Sequence, residues 1–167
     1  MLEGALDGIR ELKDLPVMKI VVSNQAGIAL GLFSTGDMIA FNWALRKRIW
    51  EAGGELDAFY YCPDLEPKHL PPGARPSQCA KPAPGMLLEA KRDFDIDLGK
   101  SYMIGDKESD IIAGRSVGCT TILIKTGTAA NESANVTSDF VVNSLKDASR
   151  IVRQCLAARA AAAQCDL

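Results

Sequence analysis

Tyr102-Met-Ile-Gly-Asp-Lys-Glu-Ser-Asp110, running directly into Ile111-Ile-Ala-Gly114, is the stretch on which the reading of this chain turns. Met103 and Ile104 are apolar and read as the end of a short buried strand. Gly105 allows a tight turn, and residues 108–117 then predict a helix. Asp106 and Asp110 stand at i and i+4 around that turn. Two carboxylates grouped at the carboxyl end of a strand suit a hard, oxygen-seeking cation such as Mg²⁺. The plainer alternative is that Asp106 caps the helix and Asp110 is solvated.

Working back from this stretch, Met86, Leu87, Ala90 and Phe94 suggest a helix over 84–94. Before it lies a proline-rich loop, 62–84, without apolar periodicity; a loop of that length is usually functional or held by a ligand. Residues 56–61 read as a strand, and 35–52 as a helix opened by Ser34 and closed by Gly53-Gly54. Its stripe of Met38, Phe41, Leu45 and Ile49 is expected in the core. Lys19 to Val22 is an apolar, β-branched strand, and Ser23-Asn-Gln-Ala-Gly27 supplies turn chemistry after it. The Ser23 hydroxyl and Asn24 amide either hold a phosphoryl oxygen or form an ordinary polar loop. Residues 2–14 have the spacing of an amphipathic helix ended by Pro16.

Forward of the central stretch come strands at 120–124 and 140–142 and a closing helix capped by Asn143 or Ser144. Short strands alternating with helices predict an α/β, Rossmann-like domain over 1–167, a parallel sheet with helices on both faces and ligands outside the strand carboxyl ends. At 167 residues and 47% hydrophobic content the chain is long enough for a real core. A net charge of −2 with scattered basic residues leaves no footprint for nucleic acid, and no apolar run reaches membrane-spanning length. Five cysteines (62, 79, 119, 155 and 165) without a secretory signal predict reduced thiols in a cytoplasmic protein rather than a disulfide framework.

Taken together, Val21-Val-Ser-Asn-Gln-Ala-Gly-Ile28, Tyr60-Tyr-Cys-Pro63, Lys81-Pro-Ala-Pro-Gly-Met86, Met103-Ile-Gly-Asp-Lys107 and Asp110-Ile-Ile-Ala-Gly114 occur in an order and spacing that resemble the haloacid dehalogenase (HAD) superfamily. The likeness is to its D-glycero-D-manno-heptose 1,7-bisphosphate phosphatase and histidinol-phosphatase branch, and it covers nearly the whole chain. The resemblance implies that Ser23 binds the transferring phosphoryl group with Asn24 beside it, and that Lys81 neutralises its charge. It implies Asp106 as a ligand of Mg²⁺, Lys107 in the phosphate site, and Asp110 as support on the metal side. The implied substrate is a small phosphorylated metabolite such as a sugar bisphosphate. Phosphoryl transfer needs chiefly positioning and cationic stabilisation, and these residue types supply both.

The chain departs from the pattern in three places. The family's nucleophile, in an Asp-x-Asp-Gly motif at the end of its first and central strand, is absent from these 167 residues. Without that strand a gap of roughly 9–10 Å is expected between the strands at 18–22 and 101–104. The chain is expected to close that gap, to borrow a strand from a partner or to be preceded by a segment upstream of Met1, the last being the favoured reading, and alone to be inactive or nearly so. A catalytically silent relative that binds a phosphorylated ligand or a protein is the second reading. In the 62–84 loop, relatives often bind zinc through Cys-x-His and Cys-x-Cys. Here Cys62 and Cys79 match, but Asp64 and Ser77 replace the other two, with His69 as a conceivable fourth ligand. Zn²⁺ is the less favoured reading, since structural sites prefer cysteine and histidine. Finally, Ala80 and Leu30 stand where the branch usually has arginine, which removes bidentate phosphate clamps.

Overall fold

The computed structural model describes residues 4–125 and 137–165. In chain order the elements are α1 (Ala5–Lys13), β1 (Ile20–Asn24), α2 (Thr35–Glu51), β2 (Ala58–Cys62), α3 (Gly85–Phe94), β3 (Tyr102–Gly105), α4 (Glu108–Ser116), β4 (Thr120–Ile124), β5 (Phe140–Val142) and α5 (Leu145–Cys165). Single turns of 3-10 helix at Pro67–His69 and Leu98–Lys100 complete them. The expected start of the first helix, residues 2–3, lies outside the described residues. None of the described helices is long and apolar enough to cross a membrane.

Among the described residues every strand pair is parallel, as the alternation of strands and helices requires. The period-2 geometry of β3 sorts the core into two layers. Tyr102 and Ile104 pack on one face against Leu12, Ile122, Ala148 and Val152, a cluster built by α1, β4 and α5. Met103 points to the other face and packs with Leu87, Leu98 and Ala113 under α3 and α4. Close approach in that second layer depends on Gly114, where a Cβ would fall 2.4 Å from the Cβ of Met103.

The strands form two ladders, β1–β2 and β3–β4–β5, and among the described residues no ladder joins β1 to β3. Both of those strands instead line one cavity of about 710 Å³ along their whole length. Their carboxyl ends lie on the same side of it, because the Lys81 side chain reaches both the Val22 carbonyl on β1 and Asp110 beyond β3.

Helix α2 differs from its expected stripe. Met38 and Ile49 are buried, but Leu45 is only half-buried and Phe41 is 63% exposed. The seam against the body runs through 38, 42, 45 and 49, and at 3.6 residues per turn Phe41 sits about 60° round from it. The start of α2 is as expected: the Ser34 hydroxyl accepts a hydrogen bond from the Asp37 N–H, and the Asp37 carboxylate accepts one from the Ser34 N–H. Ser144, not Asn143, begins the closing helix, its hydroxyl accepting from the Asp147 N–H at 3.1 Å.

Candidate active site

Ser23 and Asn24 are the last two residues of β1, hydrogen-bonded into the ladder opposite Tyr61 and Cys62, rather than residues of the turn that follows. Ladder pairing fixes their backbone, and the side chains carry the contacts that matter. The Ser23 hydroxyl accepts from the Gln25 amide at 3.0 Å. Asn24 clasps the far end of the 62–81 loop: its Oδ1 accepts from the Lys81 N–H at 2.9 Å, and its Nδ2 donates to the Lys81 carbonyl at 3.0 Å. One amide side chain thereby sets both the position and the orientation of Lys81.

Lys81 itself is 9% exposed. Its Nζ donates to the Val22 carbonyl at 2.7 Å and pairs with Asp110 Oδ1, also at 2.7 Å. Asp110, 5% exposed, uses its second oxygen to accept from the Lys107 N–H at 3.1 Å and so closes the first turn of α4. Gly105 makes this possible, since a Cβ there would lie 2.3 Å from Asp110 Oδ2. Both carboxylate oxygens of Asp110 are thus engaged. In this arrangement Asp110 orients Lys81 and the α4 N-terminus. Asp106 is half-buried at the turn and lines the same cavity as Ser23, Asn24, Lys81 and Lys107.

The cysteine expectations need correction. Cys62 and Cys79 are joined as a disulfide, because the loop returns to the end of β2 and brings the two sulfurs together; an odd cysteine total conceals such a pair. Among the described residues, Cys62, Asp64 and Cys79 are the one group of three close metal-ligand types, and His69 is not part of it. His69 is exposed at the end of its 3-10 turn. With the sulfurs bonded to each other the thiolates that zinc requires are not present, and even reduced the group of three lacks the fourth protein ligand of a structural site, so this arrangement does not fit the metal.

Glu66 is a site residue that sequence reasoning missed. It sits in the loop, lines the cavity, and accepts from Asn24 Nδ2 at 3.2 Å while Lys68 Nζ lies 3.5 Å away. Burial pushes its pKa up, but the Asn24 hydrogen bond and the charges of Lys68 and Lys107 outweigh burial and hold it below the usual value of 4.5. No local sequence signal marks a lone glutamate among prolines. A depressed folded pKa gives stability that is full above the unfolded value and is lost as pH falls through the folded one. The gap in urea midpoint between the natural chain and Glu66→Gln is therefore expected to shrink as pH drops below about 4.5. A gap that stays constant from pH 6 to 3 would show that the Glu66 charge has no such role.

Residues 78–148 match a family model described as HAD-hydrolase-like. A D-glycero-β-D-manno-heptose-1,7-bisphosphate 7-phosphatase of Yersinia pestis is 33% identical over 157 residues, covering 91% of this chain and 81% of that protein. The chain belongs to this family of HAD-like phosphatases. The enzyme of the same description from Escherichia coli K12 is 36% identical over 164 residues, with 92% and 81% coverage. Among solved structures, the D,D-heptose 1,7-bisphosphate phosphatase of B. bronchiseptica, complexed with magnesium and phosphate, superposes with a TM-score of 0.79 at 27% identity. That likeness covers 92% of this chain and 83% of the other. The family's parallel α/β fold is the one described above.

Proposed function

We propose that this chain, as one domain, carries the phosphate-binding part of a phosphatase for small phosphorylated sugars, heptose 1,7-bisphosphate being the first substrate to test. The observation that carries the reading is the buried Lys81 ammonium, held by Asp110 and the Val22 carbonyl, with the Lys81 backbone fixed by Asn24, at a cavity edge shared with Ser23 and Asp106. A desolvated, preorganised cation with a hydroxyl donor beside it is what stabilises charge on a transferring phosphoryl group. Ser23 binds phosphoryl oxygens, Asn24 beside it sets the position of Lys81, Lys81 neutralises the phosphoryl charge, and Lys107 adds charge from the rim. Asp106 suits Mg²⁺, which commonly takes one or two carboxylates together with phosphate oxygens and water; when bound it adds Lewis-acid stabilisation of the same oxygens. Asp110 orients Lys81 and stands on the metal side of the same turn. Sugar phosphates are intracellular metabolites, and the cytoplasm is the proposed compartment.

The open edges of β1 and β3 belong to the same proposal. Buried strand edges need hydrogen-bond partners, and an extended apolar segment supplied in cis or in trans would satisfy them. In this family the strand at that place carries the nucleophilic aspartate, so the 167-residue polypeptide alone is expected to bind phosphate without turning substrate over. Calorimetry with inorganic phosphate and Mg²⁺ tests the binding. Asp106→Ala is expected to weaken it about tenfold, the worth of one charge-assisted contact. Failure of phosphate to bind would remove the proposal. Hydrolysis of heptose 1,7-bisphosphate by this polypeptide, abolished in Asp106→Ala, would overturn the expectation of inactivity.

A further inference from the structure

Within the 62–81 loop, the Cys62–Cys79 bond and the Asn24 clasp hold the same piece of chain. Cys62 ends β2 and is the register partner of Asn24, while Cys79 stands two residues before Lys81. Outside these two fastenings the loop has little cover, since residues 71–76 are all exposed. The two sulfurs differ in access. Cys62 is fully buried, whereas Cys79 is only half-buried and faces the rim beside exposed Asp64. The Ser77 hydroxyl lies 3.3 Å from the Cys79 sulfur and 3.7 Å from that of Cys62, within reach of either.

We propose that Cys62 and Cys79 are a redox-active pair, a site of thiol–disulfide exchange with a dithiol reductant, whose state sets how firmly the loop holds Lys81. Its consequence for phosphate rests on the proposed function; the exchange and its effect on the loop do not.

The chemistry is asymmetric. A reductant thiolate attacks the accessible Cys79 sulfur, and the Cys62 sulfur leaves with the electron pair of the broken bond. Ser77 can donate a hydrogen bond to that buried thiolate until it takes a proton. The second thiol of the reductant, deprotonated, then attacks the reductant sulfur of the mixed disulfide, and Cys79 leaves and is protonated. Two electrons and two protons pass to the pair, and the dithiol ends as a disulfide. Asp64, with an oxygen 3.7 Å from the Cys79 sulfur, disfavours a thiolate there and so opposes the last step. The other cysteines with described side chains are poor competitors: burial pushes the Cys119 thiol up to about 11, and Cys155 lies half-buried on α5.

The test uses the whole chain in two states, treated with a mild thiol oxidant or with dithiothreitol. Thiol titration after unfolding should find two more thiols in the reduced state, and no such gain in Cys79→Ser. Hydrogen exchange over 79–81 should rise about tenfold or more on reduction. Cys79→Ser should behave like the reduced chain whichever reagent is added, and inorganic phosphate should bind the reduced chain several-fold more weakly. Equal thiol counts in the two states, or exchange over 79–81 that does not respond, would overturn the proposal even where phosphate binds. If exchange responds and phosphate binds neither state, the redox pair stands and the proposed function fails. If exchange responds and phosphate binds both states equally, control of Lys81 is refuted.

Discussion

Lys81→Met is expected to abolish phosphate binding and to destabilise the chain by about 3–5 kcal/mol, the range for removing one partner of a buried ion pair. The cost arises mainly at Asp110. That carboxylate is almost fully buried, its Oδ1 faces the Lys81 ammonium at 2.7 Å, and the variant leaves it with only the Lys107 N–H. The Val22 carbonyl loses its Nζ donor as well. Substituting both partners, Lys81→Met with Asp110→Leu, removes the uncompensated charge and should recover part of the lost stability. It should recover none of the phosphate binding. Urea denaturation gives the first quantity and calorimetry the second, so the structural and functional roles of Lys81 separate. A single variant that unfolds at the natural midpoint would mean that Asp110 is not held as described. Phosphate binding by the double variant would place the anion elsewhere.

Much of this site is legible in the residue order, for reasons that can be named. The Gly105-Asp-Lys-Glu-Ser-Asp110 turn is a local motif, and its capping geometry follows from the i to i+3 spacing of Lys107 and Asp110. The strands at 120–124 and 140–142 are short β-branched runs and lie where expected. Three features depend instead on contacts between distant segments. The pairing of Lys81 with Asp110 spans 29 positions and is visible only once α4 and the loop meet. Glu66, in the loop, joins the site through Asn24 at the end of β1, and nothing in its own neighbourhood announces that. Cys62 and Cys79 meet because the loop folds back on β2, which composition cannot show. Phe41 illustrates a further limit: helical spacing identifies an apolar side, but the exact seam depends on what the helix packs against.

The second large effect is expected at Gly8, which periodicity treats as an ordinary position inside an amphipathic helix. A Cβ there would lie 2.6 Å from the Leu145 carbonyl carbon and 2.7 Å from both the Leu145 oxygen and the Lys146 nitrogen. These are backbone atoms at the start of α5 and cannot swing aside as a side-chain tip would. Gly8→Leu is therefore expected to cost about 3 kcal/mol, the upper end of overpacking. Gly8→Ala should cost less, because it adds only the Cβ to that contact, while helix propensity returns roughly 0.5–1 kcal/mol relative to glycine. At Gly36 in the first turn of α2, a Cβ would meet only the Ser34 hydroxyl oxygen, at 3.5 Å. Gly36→Ala should accordingly be neutral or slightly stabilising. Opposite signs for the same substitution in two helices would isolate the α1–α5 contact from propensity. The damage should also reach the cavity, since Ile9, Leu12 and Leu145 line it from this side. Faster hydrogen exchange over 145–152 in Gly8→Leu, with 108–116 unchanged, is the pattern expected if α5 is displaced while α4 stays in place. Uniform loss of protection in both helices would instead mean that the two layers unfold as one unit, and that the Gly8 contact supports the phosphate site along with the α1–α5 layer.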